Sequence, residues 1–144
     1  MLFRSLADVL RRAIGGSSGP IYAVGLLRAA EQLASSVGST PAAWVEAFER
    51  AVTAIAELGV ATRGDCTMLD ALYPAVDALK AGVKRGVRIA ECWSQCVVAA
   101  AEGAAATAAA VGPWRLSRGS CRGIPDGGAV AVAIWLRALT AGIK

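Results

Sequence analysis

Histidine is missing from all 144 residues of this chain. Without an imidazole, no Ser–His or Cys–His nucleophile system can be assembled from its own side chains. The four cysteines, at positions 66, 92, 96 and 121, include no Cys-x-x-Cys pair, so a zinc site is not expected. Cys92 and Cys96 are spaced to share one helix face as small buried hydrophobes, and free thiols of this kind suit a reducing, cytoplasmic compartment. Aromatics make up only 6% of the chain against 56% hydrophobic residues, so the apolar content is mostly Ala, Val and Leu. That composition favours closely packed helices over a β-sandwich, and the expected class is all-α. Charge of one sign is weak as well: the formal charge is +4, and the nearest approach to a cluster is Lys84, Arg85 and Arg88. No basic face interleaved with aromatics is present, so nucleic acid is not an expected partner. No long apolar run exists either, because Glu102, Gly103 and Thr107 interrupt "CVVAAAEGAAATAAAVG". A membrane span is not expected. The opening segment carries Asp8, Arg11 and Arg12 and so reads as a helix rather than a signal peptide.

What is present is a succession of helical patterns separated by short glycine-rich turns. Leu2, Phe3, Leu6, Val9, Leu10 and Ala13 follow a helical period that stops at Gly15-Gly16. A second helix is predicted from Ser17 or Ser18 to Gly38. Thr40 and Pro41 predict the capped start of a third, with Trp44, Val45, Phe48, Val52 and Ile55 on one face as far as Leu58. A loop from Gly59 to Cys66 leads to a fourth helix, from Thr67 to about Lys80. A fifth is expected from about Val87 to Ala110 and a sixth from Gly128 to Ala141. The short connections predict antiparallel neighbours in a bundle of about six helices, one domain over residues 1–144.

Three turns open helices with similar chemistry. "GGSSGP" (15–20) offers glycines for close backbone approach and two hydroxyls beside free N–H groups; "GDCTM" (64–68) and "PDGGA" (125–129) repeat the pattern. Each has an ordinary reading as a stop and a cap: Thr67 with Asp70 fits a capping box, and Asp126 suits a helix start. Together they suggest a nucleotide or phosphate site at one end of the bundle.

"GGSSGPIY", "GDCTMLDALYPA" and "PDGGAVAVA" resemble, in order and approximate spacing, the motifs of the dihydroxyacetone (glycerone) kinase L-subunit family, also found as the C-terminal DhaL domain of glycerone kinases. The resemblance covers about residues 2 to 141. It implies a barrel of about eight antiparallel helices that binds Mg-ATP at one rim, in the cytoplasm, as part of glycerol metabolism. Dihydroxyacetone is held on a separate K-type subunit or domain. Ser17 and Ser18 would match the serines that contact the phosphates, and Gly59 a glycine beside the nucleotide. Thr67 and Met68 would match the pair near the adenosine, and Asp126, Gly127 and Gly128 the last nucleotide loop. ATP or ADP, with Mg, is the implied cofactor set.

Two departures stand out. The family's Asp-rich metal loop, resembling "GDGDHG", precedes the first helix seen here, so the chain is expected to be a family domain incomplete at its N-terminus, and no Asp-x-Asp occurs. Phosphoryl transfer depends on metal ions to neutralise the transferring group, so this polypeptide alone is expected to be inactive, with no catalytic residue or metal ligand assigned. A shortfall of helices against the family's eight leaves apolar surface uncovered, so self-association or partner binding is expected. The second departure is "GPWRLSRGSCRG" (112–123), where the family has a "GRxSYL"-like segment. One permitted coding string for these residues, read one base later, gives "GRGAYLGGRVEG", which points to a compensated frameshift. Two other readings compete: a non-catalytic helical interaction or lipid-pocket module, and a nucleotide domain like that of a fatty acid kinase. The motifs do not separate ATP from a phosphoenolpyruvate-linked donor.

Overall fold

The computed structural model describes residues 2–37, 40–109 and 123–141. Six α-helices and no strand occur among the described residues: α1 (Leu2–Ala13), α2 (Ser18–Ser35), α3 (Pro41–Gly59), α4 (Leu69–Lys84), α5 (Ile89–Ala106) and α6 (Gly127–Thr140). The chain divides into two compact units, Met1–Val60 with α1 to α3 and Ala61–Lys144 with α4 to α6. The basic-looking segment 112–123, apart from Gly123, lies outside the described residues, as does Cys121, so the frameshift expectation has no structural counterpart.

In the first unit, small residues let helices approach closely. Ala29, Ala47 and Ala51 form a buried cluster against Leu33, and Gly25 faces Ile55, whose Cδ1 would lie 3.0 Å from any Cβ built on that glycine. Gln32 reaches Glu46 at 3.3 Å. These pairs run in opposite directions along the two helices, so α2 and α3 are antiparallel and the start of α2 lies level with the end of α3. α1 packs on α2 through Gly19, against the carbonyls of Ile14 and Leu10. Phe3 also meets Trp44 of α3, with ring centroids 5.9 Å apart.

The second unit buries larger side chains: Leu69, Leu72 and Leu79 of α4 and Leu136 of α6, together with Cys92 and Cys96 of α5. Gly82 lies against Cys92, and Gly103 against the backbone of Asp70 and the ring of Pro74. α4 and α5 are therefore antiparallel. Pro74 stands inside α4. Its missing N–H removes the helical partner of the Asp70 carbonyl, and Gly103 occupies the space beside that carbonyl.

Helix ends differ from expectation where side chains intervene. α2 stops at Ser35, not Gly38, as the hydroxyls of Ser35 and Ser36 both donate to the Gln32 carbonyl, at 2.9 and 2.8 Å. α3 includes Gly59, expected in a loop; Val60 instead ends the helix with φ +48° and donates its N–H to the Ala56 and Glu57 carbonyls. α4 begins at Leu69, after a tight turn at Thr67 and Met68, and continues past Lys80 to Lys84. α5 starts two residues later than expected, at Ile89, because Arg88 is extended with ψ 142°, and gives way to tight turns after Ala106. α6 starts one residue earlier than expected, at Gly127.

Candidate functional site

In the second unit, the residues expected at the fourth and sixth helix starts come together. The loop before α4 is built by side chains that take up backbone donors. Thr62 N–H donates to Asp65 at 2.7 Å; Gly64 N–H and Thr67 N–H both donate to the Asp70 carboxylate, the latter at 3.0 Å. Thr67 Oγ1 accepts from Leu69 N–H at 3.2 Å. This is a capping box in which Asp70 reaches back as expected, while the Thr67 hydroxyl serves the residue two positions on rather than three. Gly64 has φ +93°, a conformation glycine adopts without strain, whereas Cys66 holds φ +56° with its side chain buried. Arg63 braces the outside of the loop, pairing with Asp77 at 2.8 Å and lying 4.9 Å over the Tyr73 ring.

The start of α6 adjoins it. Asp126 caps the helix as expected, its Oδ2 accepting from Ala129 N–H at 2.8 Å. A Cβ on Gly128 would lie 3.5 Å from Met68 Cβ and 3.6 Å from Met68 N, so the two helix starts touch through these residues; Gly127 faces open space. The N–H groups of Met68, Gly127 and Gly128 have no acceptor among the described residues. Two adjoining helix N-termini, each carrying the positive end of a helix dipole and N–H groups without an acceptor among the described residues, offer a place for an anion.

Thr107 was not singled out by the sequence beyond its interruption of an alanine run, yet it joins these loops. It is 2% exposed. Its hydroxyl donates to the Ala104 carbonyl at 2.6 Å and accepts from Asp126 N–H at 2.8 Å, and its own carbonyl faces Cys66 Sγ at 3.9 Å. A lone hydroxyl amid alanines was the available signal. Its partners are distant in sequence, which hid its role.

The first unit holds the remaining expected residues. Ser17 stands at the N-cap position of α2 but is αR and its side chain caps nothing; Ser18 is the first helical residue and half-buried. Gly59 closes α3, and the antiparallel register of α2 and α3 puts it at the same end of the pair as the start of α2. No group of three or more His, Cys, Asp or Glu side chains able to hold a metal occurs among the described residues. These residues do not fit a magnesium centre of their own.

The fold and this site define an all-α domain that presents backbone N–H groups at glycine-rich helix starts. The chain belongs to the DAK2 domain family, whose model matches residues 1–141. It is 36% identical over 141 residues to the human triokinase/FMN cyclase, a match covering 96% of this chain and 24% of that protein. It is 34% identical over 139 residues to a putative 3,4-dihydroxy-2-butanone kinase of Solanum lycopersicum, covering 92% and 23%. Among solved structures it resembles the dihydroxyacetone kinase of C. freundii in complex with AMP-PNP and Mg2+, with a TM-score of 0.73 and 30% identity over 98% of this chain and 22% of that one. The chain thus spans about a quarter of the length of these relatives. No helix among the described residues is long and apolar enough to cross a membrane.

Proposed function

We propose that residues 1–144 form a nucleotide-binding helical domain of a dihydroxyacetone-type kinase, in which ATP with magnesium donates a phosphoryl group to dihydroxyacetone held on a separate K-type domain. The observation that supports it most directly is the adjoining N-termini of α4 and α6, with Met68 against Gly128 and their leading N–H groups without an acceptor among the described residues. Likeness to a kinase solved with AMP-PNP and Mg2+ adds chemical sense to that arrangement. In this reading Ser17 and Ser18 contact the phosphates and Gly59 lies beside the nucleotide. Thr67 and Met68 lie near the adenosine, where it joins the phosphates, and Asp126, Gly127 and Gly128 form the last nucleotide loop.

Backbone N–H groups and helix dipoles would hold phosphate charge without reorganising, which is how positioning and electrostatics contribute to phosphoryl transfer. The carboxylates described here do not supply a metal centre, so the ligands for magnesium come from outside this set of residues. The polypeptide alone is then a binding domain without turnover. A cytoplasmic location and a place in glycerol metabolism accord with this reading.

Calorimetry with AMP-PNP and Mg2+ on the purified chain tests it. Saturable binding that Gly128→Val abolishes, with the helical circular dichroism unchanged, is the expected result. Absence of binding, both by this chain and by a version extended upstream by any in-frame sequence, would leave the three glycine turns as caps and favour a helical interaction module.

A further inference from the structure

The Asp126–Gly128 turn is not self-supporting. Its capping carboxylate satisfies Ala129 N–H, but the N–H of Asp126 itself points back into the unit, where it finds the Thr107 hydroxyl at 2.8 Å. That hydroxyl is oriented in turn, because its proton goes to the Ala104 carbonyl at 2.6 Å, leaving a lone pair for Asp126. Thr107 is buried, so water cannot take over either bond without opening the end of α5. The residue's own carbonyl lies against Cys66 Sγ, immediately before Thr67 and Met68.

One side chain and its peptide therefore touch both loops that carry the candidate anion site. We infer that Thr107 is a positioning residue for the phosphate-bearing ligand: its hydroxyl fixes the backbone at Asp126 so that the N–H groups of Gly127 and Gly128 face the same space as that of Met68. This inference rests on the nucleotide-binding reading of the site. Loss of the hydroxyl leaves the Asp126 N–H without its acceptor and frees the turn to rotate. An anion then meets donors that must be reoriented on binding, and affinity falls. Nothing in the side chain reaches the ligand, so Thr107 acts only through the turn.

Thr107→Val keeps the shape and removes the hydroxyl; Thr107→Ser keeps the hydroxyl and loses a methyl group. Binding of AMP-PNP with Mg2+ is measured by calorimetry on the full chain, beside the amide signals of Gly127 and Gly128 in nitrogen-15 spectra. Val76→Ala, in the α4 core, serves as a variant with lowered stability and an intact turn. The expected result is a dissociation constant raised about tenfold in Thr107→Val, on the scale of one lost buried hydrogen bond. Thr107→Ser is expected to restore near-native affinity, and Val76→Ala to keep it. The Gly127 and Gly128 amide signals should move in Thr107→Val and hold in Thr107→Ser.

Equal affinity in the native chain and Thr107→Val overturns the inference while leaving the nucleotide site standing. Equal weakening in Thr107→Val and Val76→Ala reduces Thr107 to a contributor to stability and overturns it as well. A native chain that binds no nucleotide removes the reading beneath the inference, and the inference with it. Should Thr107→Val fail to fold, Thr107→Ser against Thr107→Ala provides the same comparison.

Discussion

Gly103 lies against the carbonyl of Asp70 and the ring of Pro74, where any Cβ would meet backbone that cannot swing aside. Gly103→Ala is therefore expected to destabilise the chain by about 2 kcal/mol, the cost of overfilling a packed site, read from urea unfolding. Cys96 behaves differently, because its constraint is electrostatic. Burial pushes its thiol from 9.0 up to about 12. Between those values the unfolded chain releases the proton and the folded chain keeps it, so the unfolded state binds fewer protons and stability falls as pH rises. The contribution is fully present below about pH 9 and disappears towards pH 12. Under reducing conditions the urea midpoint should decline over the accessible part of that range, and Cys96→Ala should flatten the decline. A midpoint that follows the same course in both proteins would rule out Cys96 as the source.

At the scale of elements, the ends of helices carry the information. Val60 closes α3 in the left-handed region with its β-branched side chain 91% exposed, so it accepts strain and returns little packing. Val60→Gly should stabilise the chain by about 1 kcal/mol, the steric cost of a side chain in that conformation, measured as a raised urea midpoint. The start of α6 is the opposite case: Asp126→Ala removes the acceptor of Ala129 N–H and should cost about 1 kcal/mol. Helix starts at Pro41 and near Asp126 were legible because proline and short acceptors act on their own neighbours. The ends of α2 and α5 were not. At α2, Ser35 and Ser36 compete for the Gln32 carbonyl. At α5, the turn that follows Ala106 coincides with Thr107 engaging both Ala104 and Asp126. A hydroxyl's choice between solvent, its own helix and a distant N–H is decided by packing, which periodicity does not encode.

Over the whole molecule, apolar surface remains uncovered. Leu2, Leu6 and Val9 share one stripe of α1 and are 79%, 43% and 57% exposed. In the second unit α5 and α6 flank an apolar groove that includes Val97, Ala101, Val130 and Ile134. Such surface favours association, and sedimentation velocity should show the average mass rising with concentration. Leu2→Ser should weaken that association with little change in stability, since that side chain is already largely in water, at 79% exposed. A single mass across the concentration range would show that these patches are tolerated as they are.

Composition and local chemistry by themselves determined that this chain is all-α, that its helices are separated by glycine-rich turns, and that three of those turns could face an anion. These follow from interactions within a few residues: alanine's helix propensity, the cap at Thr40, the reach of Asp70 back to Thr67. The order of the motifs was enough to recognise the family. Only the tertiary structure decided that Met68 meets Gly128, that Gly103 must be bare beside Asp70, and that the Thr107 hydroxyl is the acceptor for Asp126 N–H. Each of those depends on antiparallel helices bringing together residues far apart in the chain, where close packing and the need to satisfy buried donors select one partner among many.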